Sequence, residues 1–307
     1  MIEARNLLSA RFAEIIRAYA AGDAYGVQFE FQPRRFDELP DQIVEVDGWP
    51  AGGVSDDTIL SLMTLEAVID GLRSHSTYFD PDASGELEVA CDVASASFLA
   101  RLENAKPQLR GLGPTTRAAL GMPVKPEEEP MVGRSNGGLM RCAMIGLAFA
   151  DQSERRMFVR DLTEATHIHP RAVEAALVGS RILSDAVAHG SYFDLAVAVR
   201  EESPEFAEEI LGFEPTAEGV TLDPIETLGA SIRAGQLASS TNDAFKIACG
   251  FGGDTDTTAA LAGALFTAMH PNDNAFEQIS WLPQVEWAEI PHLQAVASEL
   301  AGFRLVG

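Results

Sequence analysis

The sequence lacks any uninterrupted apolar segment of the roughly 20 residues that a membrane-spanning helix requires. Cysteine is scarce, with 3 in 307 residues, which excludes a small disulfide-stabilised scaffold. Basic residues are also few, because 22 Lys and Arg stand against 46 Asp and Glu for a formal net charge of −24. Such an acidic surface repels phosphate backbones and anionic headgroups, so neither nucleic acid nor a membrane is expected as a partner.

The compartment is expected to be a reducing cytoplasm. Cys91, Cys142 and Cys249 are scattered through apolar segments, which predicts buried thiols rather than disulfides. Charged residues interrupt the apolar pattern at the start of the chain, so we expect an amphipathic helix there rather than a secretory signal. The overall composition, with 46% hydrophobic and 22% charged residues, is ordinary for a globular protein.

Helical periodicity dominates the chain, because apolar residues recur at intervals of three and four through most of it. Beyond the N-terminal segment, the helical pattern covers residues 59–72, 89–102, 138–150, 172–189, 225–237, 258–269 and 285–300. Only residues 43–46 alternate as a short strand would. Polar or proline- and glycine-rich segments separate the helices at 32–40, 75–85, 111–130 and 213–224. No repeat or linker marks a boundary, so we predict an all-α fold with one domain spanning residues 1–307.

Two acidic clusters each precede an apolar helix. They are Ser55-Asp56-Asp57-Thr58 and Asp254-Thr255-Asp256-Thr257-Thr258. One role for them is helix capping, because such side chains accept hydrogen bonds from the first turn and carboxylates favour the positive end of the helix dipole. The other role is cation binding, since four carboxylates in one pocket need cations to stay ionised. For either cluster taken alone, the two roles remain equally open.

The donor atoms and the spacing narrow the kind of cation site. Carboxylates and hydroxyls suit Mg²⁺, Mn²⁺ or Ca²⁺ and not Zn²⁺. The spacing of Asp254 and Asp256 matches the haloacid-dehalogenase signature, but that signature ends an apolar strand early in its domain, whereas glycines precede Asp254 late in this chain. An EF-hand loop is also excluded, because Thr258 and Ala259 stand where it requires an acidic residue or Asn and then Gly.

Two further motifs carry weaker signals. The turn Ser135-Asn136-Gly137-Gly138 opens a helical segment, and its backbone N–H groups suit a phosphate, although a plain glycine-rich turn is the simpler interpretation. His167 and His169 have the spacing of zinc ligands, but no nearby Cys or further His completes a site. Capping or hydrogen bonding to a ligand is therefore favoured for this pair.

Taken in order along the chain, five motifs resemble those of the ADP-ribosylglycohydrolases, a family that includes dinitrogenase-reductase-activating glycohydrolase and the ARH-type hydrolases. The motifs are Gly22-Asp23-Ala24-Tyr25-Gly26 with Glu30, Ser55-Asp56-Asp57-Thr58, Ser135-Asn136-Gly137-Gly138-Leu139-Met140-Arg141, Thr166-His167-Ile168-His169 and Gly252-Gly253-Asp254-Thr255-Asp256-Thr257. The resemblance spans about residues 10–270. Each motif alone is weak, whereas five in this order are specific.

The resemblance implies a compact all-α fold with two Mg²⁺ or Mn²⁺ ions at the floor of a cleft. The implied metal ligands are Ser55, Asp56, Asp57, Asp254, Asp256 and Thr257, with Asp256 placed to bridge the ions. The implied catalytic residues are Glu30, Asp56, Asp57 and Asp256, of which Glu30 relays a proton near the reacting ribose. The implied substrate-binding residues are Ser135, Asn136 and Gly137 at the diphosphate and ribose, and His167 lining the pocket.

The implied reaction is hydrolysis of the glycosidic bond between ADP-ribose and a modified acceptor. The expected substrate is ADP-ribosyl-arginine on a protein, so the expected partner is an ADP-ribosylated protein or a small ADP-ribose conjugate. The alternatives are a hydrolase acting on O-linked ADP-ribose (serine or O-acetyl-ADP-ribose), a non-catalytic ADP-ribose-binding or structural member of the fold, and an unrelated Mg²⁺-dependent phosphohydrolase.

Overall fold

A computed structural model of the protein describes residues 2–35, 37–77, 86–271 and 275–305. The α-helices are α1 (Ile2–Gly26), α2 (Asp56–Thr77), α3 (Glu86–Ala105), α4 (Pro114–Ala119), α5 (Gly137–Cys142), α6 (Gln152–Glu164), α7 (Pro170–His189), α8 (Leu195–Glu202), α9 (Ala207–Leu211), α10 (Pro224–Leu237), α11 (Thr241–Phe251), α12 (Thr255–Met269) and α13 (Leu293–Arg304). Short 3₁₀ helices occupy Val27–Phe29, Glu129–Met131, Ala143–Leu147, Gly190–Tyr192, Phe276–Gln278, Leu282–Gln284 and Trp287–Glu289.

The prediction of an all-α fold is confirmed. Within the ranges given above no β-strand forms, and β-pairing is limited to isolated bridges. The alternating segment 43–46, the best candidate for a strand, does not form one, because Val46 pairs only with Trp49 across a tight turn. Of the separating segment 75–85, residues 78–85 lie outside the described residues. No described helix is long and apolar enough to cross a membrane.

The helix predicted at 285–300 forms only in its second half. The first half is a 3₁₀ turn, Trp287–Glu289, and α13 begins at Leu293. Pro291 explains the difference, because a proline disfavours helical geometry in the preceding residue and cannot donate a helical hydrogen bond. Ile290 accordingly has φ −125° and ψ 54°, outside the helical region.

The helix predicted at 138–150 is also shorter than expected. Its α-helical part is α5, after which the chain tightens into the 3₁₀ helix Ala143–Leu147. Gly146, a poor helix former, lies within this 3₁₀ stretch and allows close contact with α7, since a Cβ there would lie 2.2 Å from the carbonyl oxygen of Ser180. Helix α6 was not predicted from the sequence, although Asp151 caps it by accepting hydrogen bonds from the first-turn amides.

Helix α12 lies at the centre of the fold, and its residues from Thr255 to Ala268 are all buried. It packs against α1, α10 and α11. The approach of α1 is close because Gly22 and Gly26 have no side chains. A Cβ at Gly26 would lie 2.5 Å from the Cα of Asp256, and one at Gly22 would lie 2.5 Å from the carbonyl oxygen of Ala259. The C-terminal end of α1 therefore lies directly against the first turns of α12.

Candidate active site

The first turns of α2, α5 and α12 border one cavity of about 470 Å³. Because a helix N-terminus carries the positive end of the helix dipole, these three turns stabilise negative charge. Asp56 and Asp57 enter the cavity from α2, and Asp254 and Asp256 enter it from the start of α12. Glu30, from the segment that follows α1, completes this part of the lining. The fold therefore brings the two acidic clusters of the sequence into one site.

A glycine pair fixes the backbone in front of Asp254. Gly252 and Gly253 have φ values of 76° and 75°, in the left-handed region that favours glycine. Gly253 pairs with Gln32 on one side and with Val220 on the other. A Cβ at Gly253 would lie 2.0 Å from the carbonyl oxygen of Val220, so no other residue fits between the two segments. This packing sets the position from which the Asp254 side chain enters the site.

Asp23 is a further site carboxylate, which the sequence analysis quoted within a motif but did not assign a role. It caps α2 from α1, because its side chain accepts hydrogen bonds from the backbone amides of Ser55 at 3.0 Å and Thr58 at 3.2 Å. The hydroxyl of Thr58 also donates to it at 2.5 Å. Directly before α2, the hydroxyl of Ser55 accepts a hydrogen bond from the amide of Asp57 at 3.0 Å. The segment 55–58 therefore both carries the capping contacts of α2 and brings Asp56 and Asp57 to the site.

Six carboxyl groups meet at this site without a cationic partner. This group, the carboxylate cluster, consists of Asp23, Glu30, Asp56, Asp57, Asp254 and Asp256, and none of its five aspartates is more than 6% exposed. No Lys, Arg or His in the described part of the chain is among the groups that influence them most strongly. The cluster therefore concentrates negative charge where water cannot screen it.

The pKa values of the cluster rise in consequence. Burial, followed by the charge of Asp256, raises the pKa of Glu30 to about 10 and that of Asp23 to about 7. Burial and then Asp254 raise the pKa of Asp256 to about 8, and burial raises that of Asp254 to about 6. Burial is also the main cause that raises the pKa values of Asp56 and Asp57 well above the usual range.

The donor set of the site fits a hard divalent cation. Carboxylate oxygens of Glu30, Asp254 and Asp256 all lie within 4.8 Å of one another. Asp56, Asp57 and Thr257 line the same cavity and offer further oxygen atoms. Oxygen donors with uncompensated negative charge are what Mg²⁺, Mn²⁺ and Ca²⁺ require, whereas no cysteine or histidine lines the described cavity.

The turn Ser135–Asn136–Gly137 lines the cavity at the start of α5, where the sequence analysis expected the substrate. Asn136 links this turn to the carboxylate cluster, because its side-chain amide donates to the carboxylate of Asp254 and, at 3.0 Å, to the hydroxyl of Thr227. The turn and the acidic cluster therefore form one hydrogen-bonded unit.

His167 lies behind this turn instead of in the cavity lining. It is completely buried, and a Cβ on Gly137 would lie 2.9 Å from its Nε2. That nitrogen is 3.2 Å from the hydroxyl of Ser135, and Nδ1 is 2.8 Å from the hydroxyl of Thr166. Burial, and then the charge of Arg141, hold the pKa of His167 well below its usual value, so the ring is neutral. The structure thus places His167 as a support for Ser135.

Ser55, a ligand implied by the resemblance, borders an adjoining cavity of about 330 Å³ that shares Asp56 and Leu109 with the main one. The remaining expected residues, Glu30, Asp56, Asp57, Asp254, Asp256, Thr257, Ser135, Asn136 and Gly137, all line the main cavity. The structure therefore brings nine of the expected residues to one surface and places Ser55 and His167 beside it.

One wall of the cavity comes from the segment between α3 and α5, which the sequence analysis treated only as a connection. Its apolar lining includes Leu109, Leu112 and Met122, and its cations are Arg117 and Lys125. Both cations face Glu128, at 2.6 Å for Arg117 and 3.9 Å for Lys125, and neither pairs with the carboxylate cluster. No sequence pattern marks this wall, because two basic residues in a segment that contains several prolines are common.

Comparison with known proteins agrees with this architecture. The family model for ADP-ribosylglycohydrolases matches residues 4–304, so the chain belongs to the ADP-ribosylglycohydrolase family. Among solved structures it is similar to one described as an ADP-ribosylglycohydrolase-related protein complex, with a TM-score of 0.60 and 21% sequence identity. That likeness covers 97% of this chain and 99% of the other, and it shows the shared fold. No curated protein sequence matches the chain significantly.

Proposed function

We propose that this ADP-ribosylglycohydrolase hydrolyses the bond between ADP-ribose and an arginine side chain on a protein, with two Mg²⁺ or Mn²⁺ ions in its site. The observation that carries the proposal is the convergence of five carboxyl groups without a cationic partner in the lining of one cavity, with a sixth, Asp23, buried at the start of α2. Three buried free cysteines, Cys91, Cys142 and Cys249, support the further proposal of a reducing cytoplasm.

The cluster divides naturally between two cation positions. Glu30, Asp254 and Asp256 would hold one ion, because their oxygens already lie within 4.8 Å of one another. Asp56 and Asp57 line the same cavity and would hold the other, and Thr257 adds a hydroxyl to the lining. When bound, divalent ions supply Lewis acidity and lower the pKa of a coordinated water. Without metal, the buried carboxylates lower their total negative charge by retaining protons. Bound divalent ions would neutralise that charge instead.

Glu30 is the group that would move a proton in the reaction. In hydrolysis the bond from C1 of the ribose to the guanidine nitrogen breaks, and a water oxygen bonds to C1. Arginine leaves with a proton, and ADP-ribose is released. Burial and its acidic neighbours raise the pKa of Glu30 to about 10 without metal, and positive charge beside it lowers that pKa. An ionised Glu30 would take a proton from the attacking water and pass it to the leaving nitrogen.

The remaining lining suits the ADP portion of the substrate. Arg117 and Lys125 set two positive charges against the single carboxylate of Glu128 on this wall, and a diphosphate is the part of ADP-ribose that the remaining charge attracts. Ser135, Asn136 and Gly137 adjoin the carboxylate cluster, which suits contact with the diphosphate and the ribose next to it. Binding of this remote part positions the ribose carbon for attack.

Release of ADP-ribose from defined conjugates tests the proposal. An ADP-ribosyl-arginine protein and an ADP-ribosyl-serine peptide are incubated with the enzyme and Mg²⁺ or Mn²⁺, and mass spectrometry follows the product. We expect ADP-ribose from the arginine conjugate, and loss of turnover in Asp256→Asn. Asp151→Asn is the matched control, because this exposed aspartate caps α6 and asparagine caps equally well.

Other outcomes would redirect the assignment. Release from the serine peptide alone would contradict the proposed acceptor, and no release from either conjugate would contradict hydrolysis of these linkages. Liberation of inorganic phosphate would indicate a phosphohydrolase.

A further inference from the structure

Phe31 is an aromatic side chain that the reaction described above does not use. It follows Glu30 directly, lines the same cavity and is 71% exposed. No other aromatic side chain belongs to the described lining of this cavity. Because the ring is exposed, it contributes little hydrophobic stabilisation to the fold, and its place in the cavity lining needs another explanation.

The backbone at Phe31 is held in an unusual conformation. Its φ is 56°, in the left-handed region that glycine and asparagine adopt far more readily than a bulky residue. Two contacts with one neighbour enforce this geometry, since the amide of Phe31 donates to the carbonyl oxygen of Gly253 at 2.7 Å and Gln32 pairs with the same glycine. The only other described non-glycine residue with positive φ is Asp47, in a tight turn. Strain of this kind at a site residue points to a role for the side chain.

The position of Phe31 within the cavity indicates which part of the substrate it meets. In ADP-ribose the diphosphate separates the adenosine from the ribose that carries the acceptor. Phe31 adjoins Glu30 and the Gly253–Asp254 segment, at the carboxylate end of the site. The groups suited to the diphosphate, Arg117 and Lys125, come from a different wall. Phe31 is therefore the aromatic residue beside the carboxylates, where the ribose that carries the acceptor would bind.

The part of the cavity beside Phe31 and the carboxylates favours a planar cation. An aromatic face attracts a guanidinium group stacked on it, and neighbouring carboxylates add to that attraction. The ring of Phe31 is free for such a contact, since within the described residues the nearby Arg35 lies instead over Phe29, at 5.6 Å from the ring centroid. We propose that Phe31 contacts the acceptor side chain and selects a guanidinium by stacking on it. This inference rests on the proposed function and names one determinant of its acceptor.

Two substitutions distinguish the contribution of the aromatic ring to substrate binding from its contribution to folding. Phe31→Leu keeps apolar bulk and removes the π system, and Phe31→Asn is suited to the left-handed backbone. We expect either variant to lower kcat/KM for ADP-ribosyl-arginine by about 3- to 30-fold, mainly through KM, because cation–π contacts have that range of strength. Free ADP-ribose has no acceptor, so its inhibition constant should change less than about twofold, well below the range for a lost contact. Phe31→Tyr should retain activity, and Phe31→Asn should melt no lower than the native chain.

Three results overturn the inference. Unchanged kinetics in Phe31→Leu would show that the ring does not contact the acceptor. A parallel rise in the inhibition constant of ADP-ribose would assign the ring to the ADP-ribose moiety itself. A native protein that binds ADP-ribose but releases none from the arginine conjugate contradicts the proposed function, and with it this inference, before any Phe31 variant is measured.

Discussion

The metal-free protein should lose stability as the pH rises from 6.5 to 8. In this range the folded chain retains protons on Asp256, whose pKa is raised to about 8, and on Glu30, whose pKa is raised to about 10. The unfolded chain has released these protons, because an ordinary carboxyl group titrates near pH 4. Folding therefore binds protons, and by linkage the free energy of unfolding must fall as the pH increases.

The expected size follows from the number of protons retained. Each proton held only by the folded state changes the free energy of unfolding by about 1.4 kcal/mol per pH unit. One such proton between pH 6.5 and 8 gives a loss of roughly 2 kcal/mol, which lowers the melting temperature by about 3 °C for a chain of this size, so Asp256 and Glu30 together give up to about twice that loss. The range begins at pH 6.5 because the neutral, buried His167 contributes the opposite dependence below that value.

Thermal melting in EDTA at several pH values measures this effect, and a parallel series with excess Mg²⁺ supplies the comparison. Bound cations replace the retained protons, so the series with Mg²⁺ should be flatter and its melting temperatures higher. Asp256→Asn removes one titrating group, so without metal it should melt above the native chain at pH 8. A metal-free melting temperature that stays constant or rises between pH 6.5 and 8 would refute the reasoning.

Three further substitutions, one of them with a matched control, test how the fold supports the site. Gly26→Ala places a Cβ 2.5 Å from the Cα of Asp256 and should cost about 1–3 kcal/mol and activity, whereas Gly235→Ala, with open space around it, should be neutral or stabilising by denaturant unfolding. His167→Phe removes a ring that is protonated only when unfolded, so the loss of stability between pH 6.5 and 5 should be smaller in this variant. Arg11→Met breaks hydrogen bonds from its guanidinium to the last carbonyls of α7 and α12 and should cost roughly 2–3 kcal/mol, with metal binding preserved in calorimetry.

The sequence was informative about the site wherever its motifs begin helices. Ser55-Asp56-Asp57-Thr58 and the cluster at Asp254 were each open to capping or ligand roles. Capping and site formation coincide at the first cluster, whereas the Asp254 side chain makes no capping hydrogen bond to α12. Asp23 could not be predicted in the same way. Its carboxylate lies in α1 and caps α2, and no local sequence pattern indicates which helix such a residue contacts.

Other features depend on packing that a linear pattern does not contain. The wall that carries Arg117 and Lys125 was predicted only as a connecting segment, since its role depends on how it folds over the cavity. Phe31 was not identified, because its exposure and its positive φ arise from contacts with Gly253. The helix expected over 285–300 was the opposite case, because Pro291 was visible in the sequence and should have shortened it.

The most direct test of the central claim counts the cations that the carboxylate cluster holds. Equilibrium dialysis of the native chain against Mn²⁺, followed by metal analysis, is compared with Asp256→Asn and with the control Asp151→Asn. The account predicts two ions per chain in the native and control proteins and the loss of at least one in Asp256→Asn. A native chain that retains no Mn²⁺, or an Asp256→Asn variant that binds as many ions as the native chain, would contradict it.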